Sequence, residues 1–193
     1  EALAARHPRW PLALCHLGEA ELWAGEYARA RRALTDTLAI ERSTRWAWIG
    51  LTAVEALTGD PRRALAVSEE GIKAMGSTVG PAVYAHRGDA HRLAGSLHEA
   101  RADLERAVSM HPRRVSARIG FALVLWQLGD REAMRAHFEQ LCATSPGLVS
   151  DASRETDVCV WGDPGDAPSD EERVAVLTRA LERLLSNGNS DDD

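Results

Sequence analysis

From Pro11 onward, small and apolar residues return in a fixed order at an interval of about 34 residues. Gly25, Gly59, Gly95 and Gly129 fall in one column, each followed by Glu, Asp or Ser. Ala30, Ala64 and Ala100 stand five residues later in the first three units, with Met134 in the fourth, and Gly18, Thr52, Gly88 and Ala122 stand seven residues earlier. The spacing divides the chain into four units, 11–44, 45–78, 81–114 and 115–148. Each unit predicts two helices broken at the shared glycine, because glycine adopts the left-handed conformation that ends a helix without a Cβ clash. The small residues on either side of that break let the two helices approach closely. One such pair cannot bury its own apolar face, so successive units are expected to stack in chain order.

Pro112 and Pro146 share a column where the earlier units carry Arg42 and Gly76, and they mark the turn into the next unit. Gly71 lies inside the second helix of the second unit, at a cost of about 1 kcal/mol relative to alanine, which makes that helix the expected soft element. Two inserted residues, Val79 and Gly80, separate units two and three and predict a change of pitch or a slight opening there.

Beyond the repeats the periodicity fades, and residues 149–168 read as a loop rich in turn formers. A helix is expected over 169–187, with Ser169 as N-cap, Glu172 as its capping-box partner, and Val174, Leu177, Leu181, Leu184 and Leu185 on one apolar face. Solenoids need a terminal element over their last exposed seam, and this helix can supply it. Capping is the expected role; the alternatives that the long loop permits are crossing the inner surface of the stack and docking on another chain. Residues 188–193 form an acidic tail.

The glycine and alanine columns resemble those of the tetratricopeptide repeat over all four units. The resemblance implies an all-α, right-handed superhelical solenoid of antiparallel helix pairs, here with a C-terminal capping helix. Where that family's pattern has aromatic residues, this chain often has leucine, as at Leu34 and Leu104. In the family the first helix of each pair lines a concave groove, which nominates His16, Glu19 and Trp23 in unit one and Trp46 and Ile49 in unit two. It further nominates His86, Asp89 and Arg92 in unit three, and Leu123 and Trp126 in unit four, with Leu12 and Leu93 at matching positions. Members that grip a peptide's terminal carboxylate place Lys, Asn and Arg in this groove; among these nominees only Arg92 is basic. What remains is an apolar trough with three tryptophans, suited to a hydrophobic or helical segment, unless those rings pack between the helices themselves.

Composition narrows the partners. The net charge of −6 argues against a phosphate-backbone ligand, so nucleic acid is not expected. No run of apolar residues approaches membrane-spanning length, and the chain reads as cytoplasmic. Twenty-two of the 23 basic residues are arginine, Lys73 being the exception, which suggests a bacterial genome of high GC content. The three cysteines, Cys15, Cys142 and Cys159, lack metal-type spacing and suit a reducing compartment. Pro8 stands 34 residues before Arg42, so residues 1–10 read as the end of a preceding repeat, and the chain as a fragment of a longer protein.

The pairs His16 with Glu19 and His86 with Asp89 each put two potential ligands on one helix face. Two ligands do not hold a metal, and a local hydrogen bond or a polar contact with a partner is the expected role of each pair. No phosphate loop, nucleophile elbow or zinc-protease helix is present, so no catalytic residue, metal or cofactor is expected. The expected function is a non-catalytic scaffold that binds a protein or peptide in its groove. The alternatives are an accessory or regulatory domain of a larger enzyme, its groove facing a sister domain, and a self-association module forming homo-oligomers.

Overall fold

Residues 10–76, 79–161 and 167–187 are described by the computed structural model, and no strand occurs among them. Four helical hairpins follow one another: α1 (Pro11–Trp23) with α2 (Tyr27–Ile40), α3 (Arg45–Leu57) with α4 (Pro61–Met75), α5 (Pro81–Leu93) with α6 (Leu97–Met110), and α7 (Val115–Gln127) with α8 (Arg131–Thr144). Two further helices follow, α9 (Pro146–Glu155) and α10 (Asp170–Asn187). Each second helix packs on the first helix of the next unit, and the first helices also touch in series, α1 on α3, α3 on α5, α5 on α7. The hairpins therefore stack in chain order, and the stack runs unbroken across the two-residue insertion.

The column glycines end the first helix of every hairpin with positive φ, 76° at Gly25 and 83° at Gly129, with nothing near the missing Cβ. At these turns the requirement is conformational. Gly18 is glycine for a different reason: a Cβ there would stand 2.6 Å from Leu34 Cγ. Leu34 is fully buried, and on its other side a Cβ on Gly50, in the first helix of the next unit, would stand 3.1 Å from Leu34 Cδ1. Units three and four repeat the arrangement, with Leu104 held between Gly88 and Gly120. The leucines that stand in place of the family's aromatic residues thus lock unit one to unit two and unit three to unit four.

Gly71 also has a packing reason. A Cβ there would lie 2.9 Å from Trp48 Cγ, so the glycine that weakens α4 in isolation makes room for a ring that is 4% exposed. That ring is further fixed by donating its Nε1–H to the Arg42 carbonyl at 2.7 Å.

Residues 149–155, expected as the start of a loop, are helical. Pro146 sits in the first turn of α9, where its missing N–H costs nothing, and Val149 and Ala152 are fully buried in the cluster that α10 completes. With only 10 residues and a polar composition, α9 owes its helicity to that burial. The capping box is observed as expected: Glu172 N–H donates to Ser169 Oγ at 3.2 Å, and Ser169 N–H donates to Glu172 Oε2 at 2.7 Å. The expected repeat end at 1–9, the tail at 188–193 and the side chain of Leu185 lie outside the described residues.

Buried ion pairs tie the units. Glu55 on α3, 1% exposed, accepts from Arg31 of α2 at 2.6 and 3.0 Å and lies 3.3 Å from Arg63. Arg135 on α8 occupies the repeat column of Arg31, six residues after the turn glycine, and donates to Asp170 at the start of α10 at 2.6 and 2.7 Å. α10 thereby receives the pairing that elsewhere goes to the first helix of a following unit, as a cap over the last seam should.

Candidate functional site

The first helices line the inner side of the curved stack, and α10 takes up part of that side. It packs on α7, α8 and α9 and also touches α1. An element that contacts both the first and the fourth units of a curved stack lies on its inner side. Val176, Leu177, Ala180 and Leu181 of α10 join Ile119, Leu123 and Trp126 of α7 in one apolar cluster. Arg179 pairs with Glu155 of α9, and Arg183 with both Glu155 and Asp151, so charge fixes the polar edge of α10 to the neighbouring helix. Capping the stack and crossing its inner face are thus combined in one helix.

The nominated groove residues divide accordingly. Leu123 is 3% exposed beneath α10, and Trp126 is half-buried with the Arg131 guanidinium 4.8 Å from its ring centre. Ile49 belongs to the core that joins units one to three, together with Cys15 and Leu22. Trp46 is half-buried, with the Arg45 guanidinium 4.9 Å from its ring. On α1 an accessible stripe remains: Leu12 and Trp23 are each 49% exposed, and His16 is exposed between them. Leu93, at the position in α5 that Trp23 holds in α1, is 48% exposed. Helical spacing alone does not reveal that Leu12, Trp23 and Leu93 stay open, because exposure depends on what neighbouring helices leave uncovered.

The polar residues pair locally. His16 Nδ1 lies 2.9 Å from Glu19 Oε2. In unit three Asp89 accepts from Arg92 Nε at 2.7 Å, with both side chains mostly shielded. The basic residue of the groove is therefore neutralised by its own helix, which removes it as a clamp for a carboxylate. His86 is half-buried on the same helix. Among the described residues no three His, Cys, Asp or Glu side chains converge as a metal site would require. The Cys15 thiol is pushed up to about 12 by burial and, secondarily, by the nearby Glu19 charge, so it is an inert packing group.

Residues 81–113 match the family model of the tetratricopeptide repeat. The hairpin order, the turn glycines and the solved folds below agree with it. The chain thus carries a tetratricopeptide repeat at 81–113 and has the fold of tetratricopeptide-repeat solenoids. Among solved structures, a chain of the APC/C hetero-tetramer Cut9-Hcn1 is similar with a TM-score of 0.71 at 14% identity, over 96% of this chain and 34% of that one. YrrB, described as a TPR protein with an unusual peptide-binding site, is similar with a TM-score of 0.60 at 15% identity, over 96% of this chain and 94% of that one. A thermophilic TPR protein from Thermus thermophilus gives a TM-score of 0.67 at 19% identity, over 90% of this chain and 91% of that one. At such identities the likeness is one of fold, and this chain spans about a third of the Cut9-Hcn1 chain. Among curated proteins none matches. The repeat architecture is that of protein–protein interaction scaffolds, and among the described residues no helix is long and apolar enough to cross a membrane.

Proposed function

We propose that this tetratricopeptide-repeat protein is a non-catalytic scaffold that binds an apolar or amphipathic protein segment on the part of the inner face of its first three units that α10 leaves uncovered. The observation that carries the reading is the contrast between the two ends of that face. Leu123 is buried and Trp126 partly buried against the chain's own helix, whereas Leu12, Trp23 and Leu93 remain about half exposed. An inner face that already accepts Val176, Leu177 and Leu181 of an amphipathic helix has a form suited to another such segment. Trp23 is the expected anchor, with Leu12, His16 and Glu19 along the same helix, Trp46 on α3, and His86, Asp89, Arg92 and Leu93 of α5 extending the surface. The mostly apolar surface and the internally paired Arg92 favour a segment recognised by its side chains over one recognised by a terminal carboxylate.

The reading is tested by selecting peptides from a displayed library of helical and extended apolar segments and measuring their affinities by fluorescence anisotropy. Trp23→Ala should weaken a selected peptide by about tenfold or more, as truncation of an anchoring aromatic does, with the helical signal unchanged. Peptides that bind Trp23→Ala, Leu12→Ala and Trp46→Ala as well as the parent would remove the groove as the binding surface.

A further inference from the structure

At the edge of the fourth unit an arginine stands where the two preceding units carry a plugging ring, and a cleft opens. The fourth residue of the first helix is Leu14 in unit one, Trp48 in unit two, Tyr84 in unit three and Arg118 in unit four. The two rings are 4% and 8% exposed and plug the space between the start of the first helix and the end of the second. Arg118 keeps the plug's hydrogen bond. Its Nε donates to the Pro112 carbonyl, six residues earlier, as Trp48 Nε1 donates to the Arg42 carbonyl six residues earlier. It lacks the ring's bulk, and a cavity of about 320 Å³ results, lined by Arg113, Val115, Arg118, Thr144 and Ser145.

The lining is polarised in one sense. Arg118 Nη1 is shielded from solvent and has no hydrogen-bond partner. Among the described residues neither Arg113 nor Arg118 is paired with a carboxylate, whereas Arg31, Arg87 and Arg135 each hold one in a two-point contact. Ser145 precedes α9 without using its hydroxyl as a cap, so that O–H is available as a donor, while the Thr144 hydroxyl is already committed to the Gln140 carbonyl. A shielded, unpaired guanidinium N–H costs stability unless something accepts from it. Two guanidinium groups and a hydroxyl lining one cleft suit a tetrahedral dianion with oxygens to share.

We infer that the cleft between Arg113 and Arg118 is a binding site for a phosphate group. The group could come from free inorganic phosphate or from a phosphorylated side chain of a partner. The chain's net charge of −6 limits such binding to a local pair of this kind, since the surface as a whole repels anions.

The test is a titration followed by amide chemical shifts and calorimetry, in low-salt buffer free of phosphate. The probes are inorganic phosphate, a blocked phosphoserine peptide and the same peptide unphosphorylated. Saturable shifts confined to the segments 113–118 and 144–146 are expected with inorganic phosphate, the phosphopeptide or both, and none with the unphosphorylated peptide. Tighter binding of the phosphopeptide identifies a partner as the source, and equal or tighter binding of inorganic phosphate identifies the free ion. Arg113→Ala should weaken binding about tenfold or more, the loss expected for one charge-assisted hydrogen bond. Arg118→Tyr, which restores the plug seen at Tyr84, should abolish binding while the helical signal persists. Arg62→Ala, on the exposed start of α4, should change nothing. Absence of saturable binding by both phosphate probes, or equal weakening by Arg62→Ala and Arg113→Ala, would overturn the assignment. Should Arg118→Tyr fail to fold, the comparison of Arg113→Ala with Arg62→Ala decides alone.

Discussion

Replacing Gly18 by alanine separates two opposed effects whose balance the fold decides. In an isolated helix the substitution favours helix formation by about 1 kcal/mol. In this stack the new Cβ would stand 2.6 Å from Leu34 Cγ, 2.7 Å from Leu34 Cδ2 and 3.3 Å from the Leu34 backbone nitrogen. Leu34 cannot yield easily: it is fully buried, and its far side meets the close wall of Gly50. Overpacking of this kind costs about 1–3 kcal/mol, and a contact this short on a residue hemmed in from both sides belongs at the upper end. The net expectation is a loss of about 1–2 kcal/mol, a fall of roughly 2–8 °C in the melting midpoint for a chain of this size. Urea unfolding followed by the helical circular-dichroism signal measures it. A second variant, Leu34→Ala, should cost about 2–5 kcal/mol alone, and the double variant should be less destabilised than the sum because the new methyl occupies vacated space. A Gly18→Ala protein as stable as the parent, or additive behaviour in the double variant, would refute the locking of hairpins through Leu34.

The remaining expectations concern charge and thiols. Asp170 is held below the usual carboxylate range chiefly by its hydrogen bonds from Arg135, and further by the charges of Arg173 and Arg131. A depressed folded value contributes stability above the unfolded carboxylate pKa of about 3.9, and that contribution is lost as pH falls through the folded value. The stability gap between the parent and Asp170→Asn should therefore be constant from about pH 5 to 8 and close at lower pH; a gap that persists unchanged at about pH 2 would contradict the pairing. Arg31→Ala leaves Glu55 buried with only Arg63 nearby and should cost about 2 kcal/mol in urea unfolding, whereas Arg62→Ala should cost almost nothing. Cys159 is exposed and should react with a thiol reagent at once, while Cys15, 2% exposed and pushed up to about 12, should react only at the rate of unfolding. Prompt labelling of both would place Cys15 outside the core.

Local signals in the sequence carry much of the fold. The turn glycines and the Ser169–Glu172 box are legible because each acts within a few residues of itself, and the stacking order follows from repetition. Three features are not legible. The helicity of α9 comes from burial of Val149 and Ala152 beneath a helix that returns from farther along the chain, so its own short polar sequence gives little sign of it. Gly71 reads as a weakness until Trp48 is seen against it. The contact of α10 with α1 joins the two ends of the solenoid, a long-range pairing that periodicity does not encode. The same limit applies to the groove. Spacing places Ile49, Leu123 and Trp23 on one kind of face, but only their neighbours determine that the first two are covered and Trp23 is not.

The placement of α10 is the point on which the division of the inner face into a filled end and an open end depends. Methyl-labelled protein examined by isotope-edited nuclear Overhauser spectroscopy measures it directly. The account predicts cross-peaks from α10 to Ile119 and Leu123 of α7 and, in the same sample, from α10 to side chains of α1. Cross-peaks to α7 and α9 alone, with none to α1 and with Leu123 exposed to a soluble paramagnetic probe, would contradict it.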